Sequence, residues 1–244
     1  MKGVVLAGGL GTRLHPMTKI TNKHLLPIYK KPMIFYSLEM LAQAGVEDVT
    51  IVTGGNSAGD FLRLIGNGEE FGLKHVHYTY QEGNSGIAQA LALVEPYVEN
   101  EQVVVVLGDN ILEKGIAAGV KRYAGLDGDE AMVYLTEVEH PWEYGIAELD
   151  GDTLVRIIEK PADPPSNLAV IGVYFYPTSV FDLIRKLKPS ERGELEITDV
   201  NNMYLERGKL EFKMLDGWWM DAGENPEALL KANLTVARSA GVDI

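Results

Sequence analysis

The 244-residue chain contains no cysteine, which excludes disulfides, thiolate nucleophiles and Cys-based zinc sites and makes a reducing compartment the expected setting. It also lacks an apolar run of the length a membrane span needs, about 20 mainly apolar residues. Its longest uncharged stretch, 164–181, is broken by Pro164, Pro165 and Pro177 and by Ser166, Asn167, Thr178 and Ser179. The strand-like run that opens at Met1 and Lys2 is too short for the core of a signal peptide. A soluble, cytoplasmic protein with no membrane partner is expected.

Cationic excess is missing as well. Lys and Arg number 22 against 35 Asp and Glu, a formal net charge of −13. Tracking a nucleic acid or an anionic lipid surface requires clustered Lys and Arg, so neither is an expected partner. Hydrophobic residues reach 46% of the chain, enough for a sizeable core, and disorder and coiled coil are disfavoured. A second absence runs the other way. No Asp or Glu occurs between Met1 and Leu38, where Lys2, Arg13, Lys19, Lys23, Lys30 and Lys31 contribute +6, leaving −19 for the remainder. Such a run is either an ordinary solvated face or the place where an anionic ligand binds.

What the chain does have is alternation. Gly3–Ala7, Asp48–Thr53, Lys74–Tyr80 and Gln102–Leu107 read as strands, and between them Pro32–Ala44, Ala58–Ile65 and Ile87–Val94 carry apolar residues at helical spacing. This order predicts a largely parallel sheet covered on both faces. In the second half Ala131–Val138, Ile146–Leu149, Leu154–Glu159, Leu168–Tyr176 and Leu210–Leu215 are predicted strands. Asp150-Gly151 marks a hairpin, and helices are predicted over Val180–Leu187, Thr198–Arg207 and Pro226 to about Ala237. No repeat or Pro/Ser-rich linker divides the chain. The expectation is one α/β domain over 1–244, a Rossmann-like three-layer αβα fold with a mostly parallel mixed sheet, with a nucleotide-type first half at about 1–108 and a mixed second half at about 109–244.

The first strand runs into Ala7-Gly8-Gly9-Leu10-Gly11-Thr12-Arg13-Leu14. Glycines after a strand allow positive φ and bring backbone N–H groups close to a phosphate. A dinucleotide-binding loop does not fit, because its third glycine falls on Leu14 and no acidic residue follows before Glu39; a Walker A loop lacks its Gly-Lys-Ser/Thr. A Gly turn with Thr12 and Arg13 attached remains, suited to a polyphosphate held by N–H groups and a guanidinium. A tight turn without a ligand is the plain alternative.

Read with Asn22-Lys23-His24-Leu25-Leu26-Pro27 and Lys31-Pro32-Met33-Ile34, this segment resembles the signature of the sugar-phosphate nucleotidylyltransferases, above all those that join dTTP to glucose 1-phosphate. The likeness continues through Leu107-Gly108-Asp109-Asn110, Glu159-Lys160-Pro161, Arg192 to Asp199 and Trp218-Trp219-Met220-Asp221-Ala222-Gly223. It spans essentially the whole chain. The resemblance implies Mg²⁺-dependent attack of the sugar phosphate on the α-phosphorus of dTTP, yielding dTDP-glucose and pyrophosphate, by a homo-oligomer (dimer or tetramer). A sugar phosphate is mostly ionised at neutral pH, its second pKa being about 6, so no general base is needed. Catalysis then rests on positioning two anions and stabilising the leaving pyrophosphate.

The candidate catalytic residues are Arg13, Lys23, Asp109, Lys160 and Asp221. Arg13 offers a bidentate fork and Lys23 a point charge for the triphosphate, although Lys23 alone reads as a surface lysine. Asp109 ends an apolar strand, the edge where ligands gather in open α/β sheets, though a strand-end Asp is equally a helix cap. The resemblance supplies Asp221 as the second Mg²⁺ carboxylate. It also places Leu6, Gly8, Gly9, Gly11 and Thr12 against the nucleotide, Gln81 and Gly86 on its base, and Asn110, Gly145, Glu159, Lys160, Val170 and Tyr174 around the sugar phosphate. Trp218 and Trp219 are expected in the wall or core, and Glu194 and Glu196 on an acidic edge. A Gln amide has both a donor and an acceptor, so thymine and uracil both remain open.

Two other signals compete with this reading. Gly55-Asn56-Ser57-Ala58-Gly59 fits the elbow of a serine hydrolase with Ser57 as nucleophile, but no His follows near the C-terminus, and a helix cap is the plainer reading. His75 and His77 share one face of a strand but lack a third metal ligand. A non-catalytic nucleotide-sugar sensor would keep the same pocket. The chain departs from the family pattern at His24, where many members have Gln, at His140-Pro141-Trp142-Glu143, and at Pro165, Leu168 and Ile171. Longer members carry C-terminal helices associated with a regulatory nucleotide site, which is expected to be absent or rebuilt.

Overall fold

The computed structural model describes every residue except Asn56 and Asn84. The first half contains β1 (Lys2–Ala7), β2 (Pro27–Ile28), β3 (Lys31–Pro32), α1 (Met33–Gln43), β4 (Asp48–Gly54), α2 (Ala58–Ile65), β5 (His75–Gln81), α3 (Ile87–Ala92), β6 (Val103–Leu107), β7 (Asn110–Leu112) and α4 (Ala117–Tyr123). The second half adds β8 (Ala131–Glu137), β9 (Gly145–Asp150), β10 (Thr153–Glu159), β11 (Leu168–Tyr176), α5 (Val180–Ile184), α6 (Ile197–Leu205), β12 (Leu210–Met214), β13 (Trp219–Asp221) and α7 (Pro226–Ser239).

The strands β6, β1, β4 and β5 pair in parallel, in that order. On the other side of β6, β11 runs antiparallel and also pairs with β8 and β9, β12 lies parallel to β8, and the β9·β10 hairpin forms the far edge. One mixed sheet thus runs through both halves of the chain. Residues of a strand alternate between its two faces, and both faces are covered. Val4, Leu6, Val103 and Val105 pack under Leu91 of α3, Phe181 of α5 and Val200 of α6. Val5, Ala7, Val104 and Val106 pack against Leu38 of α1, Phe61 of α2 and Tyr123 of α4. That is the three-layer αβα arrangement, and it explains why β6 is an unbroken run of valines rather than an alternating strand.

Three elements differ from the sequence expectation. Helix α4 was not foreseen, because only Gly119 and Tyr123 of its seven residues are buried. Gly119 faces the Tyr134 ring at a separation that leaves no room for a Cβ. Helix α3 ends at Ala92 and gives way to a 3₁₀ turn at Glu95–Tyr97, since Pro96 cannot continue an α-helix. Helix α5 stops at Ile184 rather than Leu187. Two short ribbons, β2·β3 and β7·β13, lie outside the main sheet. They hold α7, whose Ala232 packs with Ile28, Met33, Ile111 and Ala222. Asn225 caps that helix by accepting from the Ala228 N–H at 2.8 Å. Among the described residues no helix is long and apolar enough to cross a membrane.

Candidate active site

Strands β1, β4, β5 and β6 end on one edge of the sheet, and the Gly turn lies across it. Gly8 passes so close to Gly54 that a Cβ on Gly54 would lie 2.5 Å from the Gly8 carbonyl oxygen, while a Cβ on Gly8 would lie 2.7 Å from Gln81 Oε1. Gly11 alone among the turn's three glycines is left-handed, at φ 62°. The glycines therefore serve mainly close approach. Beyond the turn the backbone forms 3₁₀ turns at Thr12–Leu14, Met17–Lys19 and Lys23–Leu25 rather than an α-helix, so an anion here would meet individual N–H groups and not a helix dipole. Side chains stitch the segment down: Thr18 Oγ1 donates to the Gly11 carbonyl at 2.6 Å, and Asn22 Nδ2 donates to the Ala7 carbonyl at 3.1 Å.

Asp109 follows β6. The β7·β13 ladder places Asp221 opposite Asn110, and the Ala222 N–H donates to the Asp109 carbonyl at 2.9 Å. Two carboxylates more than a hundred residues apart in sequence thereby share one buried floor. Lys23 pairs with Asp109 Oδ2, Asn110 Nδ2 donates to Asp109 Oδ1 at 3.0 Å, and the Gly223 N–H donates to Asp221 Oδ1 at 3.1 Å. Burial by itself would push the Asp109 carboxyl up, but the Lys23 charge overrides it and holds Asp109 well below the ordinary carboxylate range. Asp221 forms no ion pair among the described residues, and the more distant Lys23 charge lowers it less than its surroundings raise it. Burial first, and the charge of Asp109 second, push it up to about 7. Burial likewise opposes the Lys23 charge, yet Asp109 and Asp221 win and raise it. No third acidic or histidine ligand joins the pair among the described residues. Two mutually repelling carboxylates facing a phosphate site suit Mg²⁺, which takes one or two carboxylates, water and substrate phosphate oxygens.

At the end of β10, Glu159 Oε2 accepts from Thr198 Oγ1 at 2.6 Å and Oε1 from Arg192 Nη2 at 3.2 Å. A Cβ on Gly145 would lie 3.1 Å from Thr198 Oγ1, so that glycine keeps the pocket open. Lys160 is exposed at its mouth with φ 43°, a left-handed conformation that a non-glycine residue rarely adopts. Arg13 is exposed beside the Gly turn, and neither cation forms an ion pair among the described residues. Asn110 reaches the cleft with its carbonyl already taken by the Gly172 N–H at 2.9 Å and Trp219 Nε1 at 2.7 Å, leaving one amide hydrogen for a ligand. The Tyr174 ring is buried, stacked on Tyr176 at 6.0 Å, and burial raises its phenol. At the end of β5, Gln81 Nε2 donates to the Gly86 carbonyl at 3.1 Å and to Gln89 Oε1 at 2.6 Å. Both amide hydrogens are spent, so Gln81 offers a ligand only its carbonyl oxygen.

Leu6, Gly8, Gly9, Gly11, Thr12, Arg13, Lys23, Gln81, Gly86, Asp109, Asn110, Gly145, Glu159, Lys160, Val170, Tyr174 and Asp221 all line one cleft of about 410 Å³. Sequence reasoning gave no role to Arg192, Thr198, Tyr144 or Glu224, which line it too. Arg192 opens the segment 192–199, but the ion pairs that fix it to Glu159, Glu194 and Glu196 depend on the tertiary fold. Those pairs also correct the free acidic edge expected for Glu194 and Glu196. Of the six early cations only Arg13 and Lys23 reach the cleft. Lys2 pairs with Asp48 at the opposite end of β1, and Lys31 with Glu39.

Ser57 is buried at the head of α2, makes no side-chain cap hydrogen bond and does not line the cleft; its motif neighbour Asn56 lies outside the described residues. Ser57→Ala should leave pyrophosphate release within twofold of wild type in a coupled phosphate assay. His75 and His77 lie exposed on β5, His77 against Tyr97 at 5.3 Å, and no metal-ligating group of three includes them among the described residues. Of the loop 82–85 that Gln81 and Gly86 flank, Asn84 also lies outside the described residues.

A cleft at the strand ends that combines two buried carboxylates with two exposed cations, unpaired among the described residues, has the chemistry that nucleotidyl transfer requires. The nucleotidyl transferase family pattern matches residues 2–239, and the chain belongs to that family. Among individual relatives, it is 42% identical over 226 residues to the glucose-1-phosphate thymidylyltransferase of Neisseria meningitidis, covering 91% of this chain and 78% of that protein. A crystal structure of a candidate glucose-1-phosphate thymidylyltransferase from Bacillus anthracis, in complex with sucrose, superposes with a TM-score of 0.92 at 44% identity, covering 100% of this chain and 97% of the other. A UDP-glucose pyrophosphorylase complexed with UDP-glucose superposes with a TM-score of 0.84 at 27% identity, covering 98% of each chain.

Proposed function

We propose that this chain transfers a thymidylyl group from dTTP to glucose 1-phosphate, forming dTDP-glucose and pyrophosphate. The observation that carries the reading is the division of the cleft. The carbonyl of Gln81 and the Gly turn lie at one end, the Glu159–Thr198 pair at the other, and Lys23, Asp109 and Asp221 between them. A phosphate oxygen of the sugar 1-phosphate attacks the α-phosphorus, the bond from that phosphorus to the bridging oxygen breaks, and pyrophosphate leaves with the electron pair. Lys160 is placed to hold the attacking phosphate and Arg13 the leaving one, while Lys23 opposes the charge developing between them. Asp109 and Asp221 would hold Mg²⁺, which when bound supplies charge stabilisation at the phosphate oxygens. Glu159, fixed by Thr198 and Arg192, is oriented to accept hydrogen bonds from sugar hydroxyls.

The acceptor left on Gln81 matches the N3–H of thymine or uracil and opposes cytosine, whose N3 is itself an acceptor. UTP is therefore the second reading, and the likeness to a UDP-glucose pyrophosphorylase favours keeping it. Pyrophosphate release across a matrix of dTTP, UTP, dCTP, CTP and dATP against several hexose 1-phosphates tests both. Fastest turnover is expected with dTTP and glucose 1-phosphate and the slowest with the cytosine nucleotides. No release with any pair in the presence of Mg²⁺ overturns the enzyme reading.

A further inference from the structure

Tyr144 lines the cleft and is tied to both of its walls. Its carbonyl accepts from the Lys160 N–H at 2.9 Å, and Gly145, which follows it, pairs with Glu159 across the β9·β10 ladder. The side chain turns the other way. Its ring meets Trp219 of β13 edge-on, with centroids 5.4 Å apart, and its hydroxyl donates to Glu224 Oε2 at 2.8 Å. Burial, and after it Glu224, raise the phenol, so the hydroxyl keeps its proton and is the donor. Glu224 is only 8% exposed, a depth at which a carboxyl needs a partner. Glu224 first, and burial second, raise the neighbouring Glu143 carboxyl, so that side offers Glu224 another acid and no cation.

Glu224 closes the short loop that carries the second carboxylate of the floor. In that loop the Gly223 N–H donates to Asp221 Oδ1 at 3.1 Å and the Ala222 N–H to the Asp109 carbonyl at 2.9 Å. Whatever fixes Glu224 therefore fixes the approach of Asp221 to Asp109. Through Tyr144 that point is joined to Lys160 and Glu159, which belong to a hairpin at the far edge of the main sheet. In-line transfer needs the attacking phosphate and the α-phosphate held in register, and a misplacement of about 1 Å can cost about 100-fold. We propose that Tyr144 and Glu224 are positioning residues, a strut that sets the metal-facing carboxylates at a fixed distance from the residues that hold the sugar phosphate. The inference rests on the reading of Asp109 and Asp221 as Mg²⁺ ligands and of Lys160 as the holder of the attacking phosphate. Both residues act through Asp221 and Lys160 rather than on the reacting atoms.

Two readings test the strut: Mn²⁺ binding to the substrate-free protein, followed by the electron paramagnetic resonance of the unbound ion, and steady-state kinetics with dTTP and glucose 1-phosphate. Tyr144→Phe keeps the ring against Trp219 and removes the hydroxyl. It is expected to weaken Mn²⁺ binding about tenfold, the scale for a group that supports a metal ligand, and to lower kcat about tenfold with both KM values within about twofold. A role confined to shaping the sugar pocket would raise the KM of glucose 1-phosphate and leave Mn²⁺ affinity unchanged, and that result overturns the proposal. Glu224→Ala should match Tyr144→Phe, and the double variant should be no worse than either, because one link cannot be lost twice. Losses that multiply overturn it. Burial and Asp109 raise Asp221 most, but Glu224 adds to them, so its charge has to be separated from its hydrogen bond. Glu224→Gln removes the charge, keeps an acceptor for the Tyr144 hydroxyl and should stay within about threefold of wild type in both readings; equal impairment of Glu224→Gln and Glu224→Ala overturns the proposal. Should Glu224→Ala fail to fold, Tyr144→Phe and Glu224→Gln decide the matter between them. Absence of turnover with dTTP would instead defeat the functional reading, and the Mn²⁺ affinities would still decide the strut.

Discussion

Asp221→Asn is expected to lower nucleotidyl transfer by about 100-fold or more while making the metal-free protein more stable at pH 8. Removing a ligand of a catalytic metal commonly costs activity on at least that scale. The stability gain comes from the opposite side of the same geometry. Asp221 titrates near 7 in the fold against an ordinary value of 3.8, because it is buried beside Asp109. An acid whose pKa is raised by folding binds more protons in the native state, so its contribution falls as pH rises from about 4 to about 7 and the cost is fully present above that. Asparagine keeps the oxygen that the Gly223 N–H donates to and removes the charge. Asp109→Asn should lose activity to the same degree but drop below wild type in stability, since it takes the principal partner from the buried Lys23 ammonium. Urea denaturation in EDTA at pH 8 orders the three proteins as Asp221→Asn, wild type, Asp109→Asn. Added Mg²⁺ should stabilise wild type, because it binds only the folded pair, and should have little effect on either variant. An Asp221→Asn protein with full activity would remove it from the metal site.

The second large effect is expected at the two unpaired cations, and there the substrates should separate. Arg13→Ala should lower kcat/KM for the nucleoside triphosphate by about 100-fold, and Lys160→Ala should do the same for the sugar 1-phosphate, the usual scale for charged hydrogen bonds to phosphate. Each side chain is exposed and makes no ion pair among the described residues, so neither variant should lose measurable stability. Lys160 adds a sharper test. Its backbone sits at φ 43°, where glycine carries no penalty, so Lys160→Gly should be at least as stable as wild type and as inactive as Lys160→Ala. Strain held at this position is then serving the placement of the ammonium. If both variants raised the KM of the same substrate, the assignment of the two ends of the cleft would be wrong.

Local chemistry was enough to locate the β1-to-Gly turn, the valine strand β6 that delivers Asp109, and the Asp150-Gly151 hairpin, since each depends on neighbours within a few residues. The motifs carried Lys23, Lys160 and Asp221 by resemblance, without saying what surrounded them. The charge pattern was legible only in part. The acid-free opening segment does contribute Arg13 and Lys23 to the cleft, but Lys2 is spent at the other end of the same strand, because a strand sends its two ends to opposite edges of the sheet.

Sequence by itself determined the family, the αβα layering and which residue types could handle phosphate, because periodicity and motif order are properties of the chain. Tertiary structure alone decided the rest. The pairing of β13 with β7 sets Asp221 beside Asp109 and thereby raises one carboxyl while Lys23 lowers the other. The contacts of Gln89 and Gly86 exhaust the Gln81 donors and leave an acceptor. Asn22 does the same for one nitrogen of His24. Proton positions and charge states are set by what lies within a few ångströms in space, whether the deciding group is two residues away along the chain, as Asn22 is from His24, or far along it, as Asp109 is from Asp221.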